Sequence, residues 1–112
     1  AAAMVYEAAL ARQFNGQIAS YLAFVLAVSS DDSVRNPTRS LEWAQKAAQS
    51  EPESVTSLNT VAVALAANGR FPEAVGFAER ALAIAKASNQ AQGVKVTEAR
   101  LQSFRAGKPW RE

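Results

Sequence analysis

The chain has 112 residues, of which 49% are hydrophobic and 20% charged, with a net charge of +2 at pH 7. This length suits one domain with a single core, and so small a charge does not by itself indicate a nucleic-acid partner. The sequence has no His and no Cys. Zinc, haem and iron–sulfur sites are therefore close to excluded, and a catalytic triad or a Cys nucleophile lacks its members. We expect no metal, no cofactor and no catalysis.

The N-terminal part of the sequence predicts two helices separated by Asn15-Gly16, a stop signal. The first covers residues 1–13, and its apolar side consists of Val5, Tyr6, Ala9 and Leu10. The second covers residues 17–28, which carry no charge and resemble a signal sequence or membrane span. It is far shorter than the roughly 20 residues that a spanning helix needs, so we interpret it as a buried helix. The sequence identifies no compartment, but we expect a soluble chain and favour the cytoplasm.

A polar loop and a third helix come next. Residues 29–37 are rich in Ser, Asp, Asn and Pro, which favour turns and caps over helix interiors. Asn36 is a candidate N-cap and Pro37 a first helical residue, and the helix extends to Ser50. Trp43 lies beside the alanine stripe of this helix. We expect it to pack under the loop, whereas an exposed Trp43 would indicate a contact surface.

Residues 54–88 predict two helices that fold back on each other at Asn68-Gly69-Arg70. Apolar residues recur on one side of the first helix at Leu58, Val61, Ala62 and Leu65, and on the second at Ala74, Phe77, Ala78, Ala81 and Leu82. Gly69 can adopt the left-handed conformation that ends a helix, and Pro72 suits the start of the next one. The small alanines predict a close approach of the two helices.

The C-terminal part predicts a last helix over residues 89–106, apolar on one side only, as the terminal helix of a stacked array requires. Gly107 and Pro109 then act as stop signals. This end of the chain is basic and aromatic through Arg100, Phe104, Arg105, Lys108, Trp110 and Arg111. Such a group could bind phosphates and stack bases, but nearby Glu98 and Glu112 dilute its charge. Nucleic-acid binding is therefore only a minor alternative.

The helix pair of residues 54–88 resembles a tetratricopeptide repeat, whose pattern is Trp-x2-Leu-Gly-x2-Tyr, then Ala-x3-Phe, then Pro. The matching positions are Leu58, Val61, Ala62, Leu65, Gly69, Phe71, Ala74, Ala78, Ala81 and Lys86. A second copy matches upstream at Leu22, Ala23, Leu26, Ser40, Ala44, Ala47 and Pro52. Ala44 and Ala78 are 34 positions apart, the period of this repeat class. Ala23 and Ala62 are 39 positions apart, five more than this period. We assign the five extra residues to the polar loop at 29–37, which lies between Ala23 and Ala44.

The resemblance implies an all-α single domain over residues 1–112, with about six helices in antiparallel pairs stacked as a right-handed solenoid. Its expected parts are the second helix of a truncated repeat (1–15), a repeat with a five-residue insertion (16–53), a complete repeat (54–88), a capping helix (89–106) and a tail (107–112). The ending RAGKPWRE resembles the C-termini of some bacterial tetratricopeptide proteins. We therefore expect the C-terminal portion of a bacterial array.

The function implied by the resemblance is a non-catalytic protein interaction module or assembly scaffold that binds a peptide or a partner helix in a concave groove. The repeat plan, in which the first helix of each repeat faces the groove, predicts eight groove residues. They are Gln17, Ser20, Phe24, Ala27, Thr56, Asn59, Val63 and Ala66. Asn59 is the leading candidate because an amide can pair with both the N–H and the C=O of a peptide backbone. It could equally be a solvated residue or make a bond between repeats.

Two further interpretations stay open at this point. The chain could be the accessory domain of a larger enzyme or of a secretion or assembly protein. The N-terminal repeat end, which the pattern leaves exposed, could also support a homo-oligomer or a larger assembly. In each case the partner is another protein or peptide whose identity the sequence does not reveal.

Overall fold

The computed structural model of the chain describes residues 2–111, and within that range it contains six α-helices and no β-strand. The helices are α1 (Ala2–Arg12), α2 (Gly16–Val28), α3 (Pro37–Ser50), α4 (Val55–Ala67), α5 (Phe71–Ala87) and α6 (Ala91–Arg105). The all-α prediction is confirmed. Ala1 and Glu112, assigned above to the first helix and the tail, lie outside the described residues. None of these six helices is long and apolar enough to span a lipid bilayer.

Side-chain caps fix where three of the helices begin. The side-chain oxygens of Asn15, Asn36 and Ser54 accept hydrogen bonds from backbone N–H groups three residues further on, at 3.0, 3.2 and 3.2 Å. Each cap satisfies a donor that the first helical turn leaves without a partner. The N-cap predicted at Asn36 is therefore confirmed, and Pro37 follows it as the first residue of α3.

Residues in the left-handed conformation follow α4 and α5. Gly69 has a φ of +75° after α4, and the N–H of Arg70 bonds back to the carbonyl of Leu65 at 2.9 Å. Asn89 has a φ of +56° after α5, a conformation that Asn tolerates better than most residues. Because this conformation is incompatible with a helix, the predicted start of the last helix at residue 89 is wrong, and α6 begins at Ala91.

The helices pack as neighbouring hairpins. The three-residue turn at 68–70 folds α5 back on α4, α3 packs on α2, and α6 packs on α5. Helices α2, α4 and α6 follow one another in contact along one side of the molecule. We call this the inner row. The right-handed sense of stacking stays a prediction.

Small residues occupy the contacts between these helices. The side chains of Ala23, Ala44, Ala62, Ala74 and Ala78 belong to one central cluster and are fully buried. Of the remaining positions predicted to pack, Gly69 is exposed in the turn after α4. The others are buried, namely Leu22, Leu26, Ala47, Leu58, Val61, Leu65 and Ala81. Ser40 adds a polar link, since its hydroxyl donates to the carbonyl of Ala23 at 2.6 Å. Close packing over such small side chains leaves little space between the helices.

Helix α1 differs from its predicted packing. Leu10 is buried, and Tyr6 packs edge-on against Tyr21 with ring centroids 5.4 Å apart. Val5 and Ala9, predicted to lie on the same apolar side, are exposed. Trp43 packs against both the central cluster and the cluster of Leu10, and its indole N–H donates to Glu7 of α1 at 3.2 Å.

Candidate functional site

An open groove of about 650 Å³ runs along the inner row. Its walls come from α2, α4 and α6, together with the chain just before α4 and α6. The lining is mostly amides and hydroxyls, with Tyr21, Phe24, Val55 and Val96 as apolar members. The volume lies in the range usual for ligand sites, and a few polar groups in a partly apolar cleft are what fix a ligand's orientation.

Five of the eight predicted groove residues line this groove. They are Gln17, Ser20, Phe24, Thr56 and Asn59. The other three, Ala27, Val63 and Ala66, belong to the central cluster and are at most 2% exposed. They do not line the groove, because neighbouring parts of the fold cover that end of the inner row.

Asn59 lies at the floor of the groove and is 4% exposed. Its side-chain amide donates to the hydroxyl of Thr97 at 2.8 Å, a bond that joins α4 to α6. The Thr97 hydroxyl in turn donates to the carbonyl of Gly93 at 2.6 Å. The side-chain NH₂ group of Asn59 therefore makes a bond between repeats, which was one of the roles expected for this residue. Its other atom, Oδ1, is buried and accepts no hydrogen bond from any described residue.

Hydroxyl groups surround Asn59 on the groove floor. The hydroxyls of Ser20 and Ser57 approach to 3.5 Å across the α2–α4 contact. Thr60 donates to the carbonyl of Thr56 at 2.9 Å, one turn earlier in α4. These side chains can reorient their hydroxyl hydrogens to serve as donors or acceptors for a ligand.

Two charged side chains lie on the groove at different points along α2. Glu51 lies beside Gly16, where α2 begins. Arg100, from α6, stacks over the ring of Phe24 with its guanidinium carbon 5.2 Å from the centroid. Gly16 and Phe24 are eight residues apart, which corresponds to about 12 Å along a helix. The groove therefore has an acidic end and a basic end.

Sequence reasoning missed Arg100 as a groove residue and assigned it to the basic C-terminal end. Gly93, Val96 and Arg100 line the groove at intervals of three and four residues, which is one face of a helix. This spacing was visible in the sequence. Its meaning depended on recognising that α6 continues the inner row and does not only cap the stack.

The remaining residues of the basic end make contacts within the chain. Arg105 forms an ion pair with Glu79 at 3.0 Å. Arg111 donates to the carbonyl of Ala27 at 3.4 Å, and Trp110 packs on the central cluster. The described residues also contain no group of three or more acidic, His or Cys side chains placed to hold a metal ion.

Helical hairpins whose first helices form one continuous row define a class of helical repeat proteins. A comparison with protein families places the central hairpin within this class: the family described as tetratricopeptide repeat matches residues 54–90. The match covers α4, α5 and the turn that follows them. Residues 54–90, one third of the chain, therefore match a tetratricopeptide repeat. Comparisons with curated proteins and with solved structures find no match.

Proposed function

We propose that this chain is a non-catalytic interaction module that binds an extended peptide segment of a partner protein in the groove of the inner row. The observation that carries the proposal is the buried Oδ1 of Asn59, which accepts no hydrogen bond from the described residues. A buried acceptor without a partner costs about 1–3 kcal/mol. A ligand N–H at this position would recover that cost on binding.

The unpaired acceptor favours an extended peptide over a partner helix. Within a helix, backbone N–H groups are already bonded to carbonyls four residues earlier, and only the first turn has free donors. An extended segment offers an N–H at every residue other than proline. It can therefore donate to Asn59 while its side chains meet the rest of the groove.

The charges at the two ends of the groove support a direction for the peptide. A separation of about 12 Å corresponds to three or four extended residues, at about 3.3–3.6 Å each. A basic side chain of the peptide would lie near Glu51, and an apolar side chain near Phe24. The aromatic ring of Phe24, which already stacks on Arg100, provides apolar contact beside the basic end.

The test starts from peptides selected out of a random library on the immobilised wild-type chain. Their affinities are then measured by calorimetry for the wild type and for Asn59→Leu, which is close in size to Asn but has no acceptor. We expect a loss of about 2–10-fold, the equivalent of one hydrogen bond. Circular dichroism verifies that the variant remains helical.

Two controls separate the acceptor from general damage. Thr97→Val breaks the same internal bond to Asn59 but leaves Oδ1 in place, so peptide affinity should be retained. Lys86→Ala changes an exposed residue away from the groove and should also be neutral. Equal affinity of Asn59→Leu and the wild type for every selected peptide would refute the assignment of Asn59.

Self-association through the N-terminal end is a second proposal, supported by a separate observation. Met4 and Val5 of α1 are 71% and 67% exposed, although large apolar side chains are usually covered. Light scattering of the wild type and of a Met4→Lys, Val5→Lys variant tests it. A concentration-dependent mass that the variant abolishes supports self-association, and a monomeric wild type contradicts it.

A further inference from the structure

The chain reverses direction after α6. Gly107 has a φ of +71°, a conformation that L-residues with a side chain rarely adopt. The N–H of Lys108 bonds back to the carbonyl of Ser103 at 2.9 Å, and the Ser103 hydroxyl donates to the carbonyl of Lys108 at 2.9 Å. These bonds direct the following residues back over the helices. We call residues 107–111 the tail.

The tail lies against the inner row. Trp110 is half-buried and packs on the central cluster, which contains Ala27, Val63 and Ala66. Arg111 reaches the backbone carbonyl of Ala27 at 3.4 Å. Ala27 is one of the positions that the sequence assigned to the groove. The tail therefore lies over the C-terminal part of α2, on the side of the inner row where a ligand of the predicted groove was expected.

Arg100 connects the tail to the open part of the groove. Its guanidinium carbon lies 5.2 Å from the ring centroid of Phe24 and 5.8 Å from that of Trp110. A cation between two aromatic faces attracts both. A ligand that displaces the Arg100 guanidinium from Phe24 would also disturb its contact with Trp110, because both contacts use the same group.

The polar contacts that hold the tail on α2 are weak. The Arg111 bond has a length of 3.4 Å, beyond the usual range for N–H···O bonds. The indole N–H of Trp110 is buried and has no acceptor among the described residues. A competing segment would therefore bind the same surface more tightly if its aromatic ring left no buried N–H without an acceptor and its donor lay closer to the Ala27 carbonyl.

We propose that the tail is an intramolecular ligand of the inner row, bound where α2 and α6 meet, and that partner peptides bind in competition with it. The surface it covers is a recognition site for an aromatic side chain next to a basic one, the chemistry of Trp110 and Arg111. This inference rests on the proposed function, since it names what regulates access to that groove.

The strength of this competition can be estimated. A segment tethered by a short linker has an effective concentration on the order of 1 mM. If the free tail peptide binds with a Kd of about 0.1 mM, the tethered tail covers its surface about 90% of the time. A competitor would then bind the wild type about tenfold more weakly than a chain whose tail is released.

The probe is a fluorescent, N-acetylated peptide with the sequence of residues 107–112, Gly-Lys-Pro-Trp-Arg-Glu. It is titrated into the wild type and into the full chain carrying Trp110→Ala, and anisotropy is recorded. We expect binding to the variant and about tenfold weaker binding to the wild type. The same peptide with Ala in place of Trp should bind neither. Absence of binding to Trp110→Ala, or equal binding to both chains, overturns the proposal.

A second variant covers the case in which Trp110→Ala does not fold. Gly107→Ala removes no packed side chain, and no atom of the described residues lies within 4 Å of the added Cβ. It strains the reversal through the positive φ alone, so it should loosen the tail and also increase probe binding. Probe binding no stronger than to the wild type in this folded variant likewise contradicts the proposal.

The same measurements distinguish this inference from the proposed function. If library peptides bind in an Asn59-dependent way but the tail peptide does not bind, the interaction module stands and the intramolecular ligand is refuted. If the tail peptide binds the released chain but Asn59→Leu leaves the affinity of the library peptides unchanged, the tail stands as an intramolecular ligand and the assignment of Asn59 is refuted.

Discussion

Replacing Ala78 by Leu tests the packing on which the whole arrangement depends. Ala78 lies in the middle of α5, is 0% exposed and belongs to the central cluster together with Ala62 of α4. The substitution adds three carbon atoms between helices that are joined by a turn of three residues. The effect on stability depends on whether the contact has free space.

Two outcomes of opposite sign are possible. If a void existed, burying three additional carbons would stabilise the fold by about 2.4 kcal/mol, at about 0.8 kcal/mol for each. If the contact is close-packed, the larger side chain forces the helices apart at a cost of about 1–3 kcal/mol. Complete burial among small neighbours favours the second outcome. Helix propensity does not decide the sign, because Leu and Ala are both strong helix formers.

Thermal unfolding followed by circular dichroism measures the effect. A loss of 1–3 kcal/mol corresponds to a fall in Tm of about 4–12 °C for a chain of this size. The matched control is Ala83→Leu, which makes the same chemical change in the same helix at an exposed position and should shift Tm by little. An unchanged or raised Tm for Ala78→Leu would refute close packing at this contact.

The turn after α4 and the first turn of α5 provide further predictions. Gly69→Ala should destabilise the fold by about 1–2 kcal/mol because of the positive φ alone, since the part of the chain that the structure describes places no atom within 4 Å of the added Cβ. Gly76→Ala, equally open but inside α5, should stabilise it by about 1 kcal/mol; urea unfolding of both variants should give these opposite signs. Two hydrogen bonds from the Arg70 guanidinium hold the pKa of Glu73 below its usual value. The pair therefore stabilises the fold above the unfolded-state pKa of about 4.3, and this contribution is lost as pH falls through the lower folded-state pKa. Accordingly, Glu73→Gln should be less stable than the wild type at pH 7, and the difference in Tm should vanish in strong acid.

Competition between the tail and a partner would affect how binding data on this chain are interpreted. An affinity measured on the wild type includes the cost of displacing Trp110 from the inner row. Weak binding by the intact chain would therefore not indicate a poor groove. Measuring the same peptide on the wild type and on the Gly107→Ala variant separates the affinity of the groove itself from the free-energy cost of displacing the tail.

The sequence by itself determined the helices and, outside α1, most of their buried positions, because both depend on local chemistry. A helix begins where a side chain such as that of Asn36 can satisfy the free N–H groups, and it ends where Gly69 can take a positive φ. The spacing of Leu58, Val61 and Ala62 identifies the buried side, since a helix repeats every 3.6 residues. These rules act over a few neighbouring residues and need no knowledge of the fold.

Only the tertiary structure decided which of those residues are accessible to a ligand. Val63 lies on the side that the repeat plan assigned to the groove, yet it is fully buried in the central cluster. Arg100 belongs to a helix expected only to cap the stack, yet it lines the groove and contacts both Phe24 and Trp110. Phe24 and Trp110 are far apart in the sequence, and helical periodicity contains no information about such distant contacts. Access to the groove depends on those contacts, because they determine which surface the folded chain covers with its own residues.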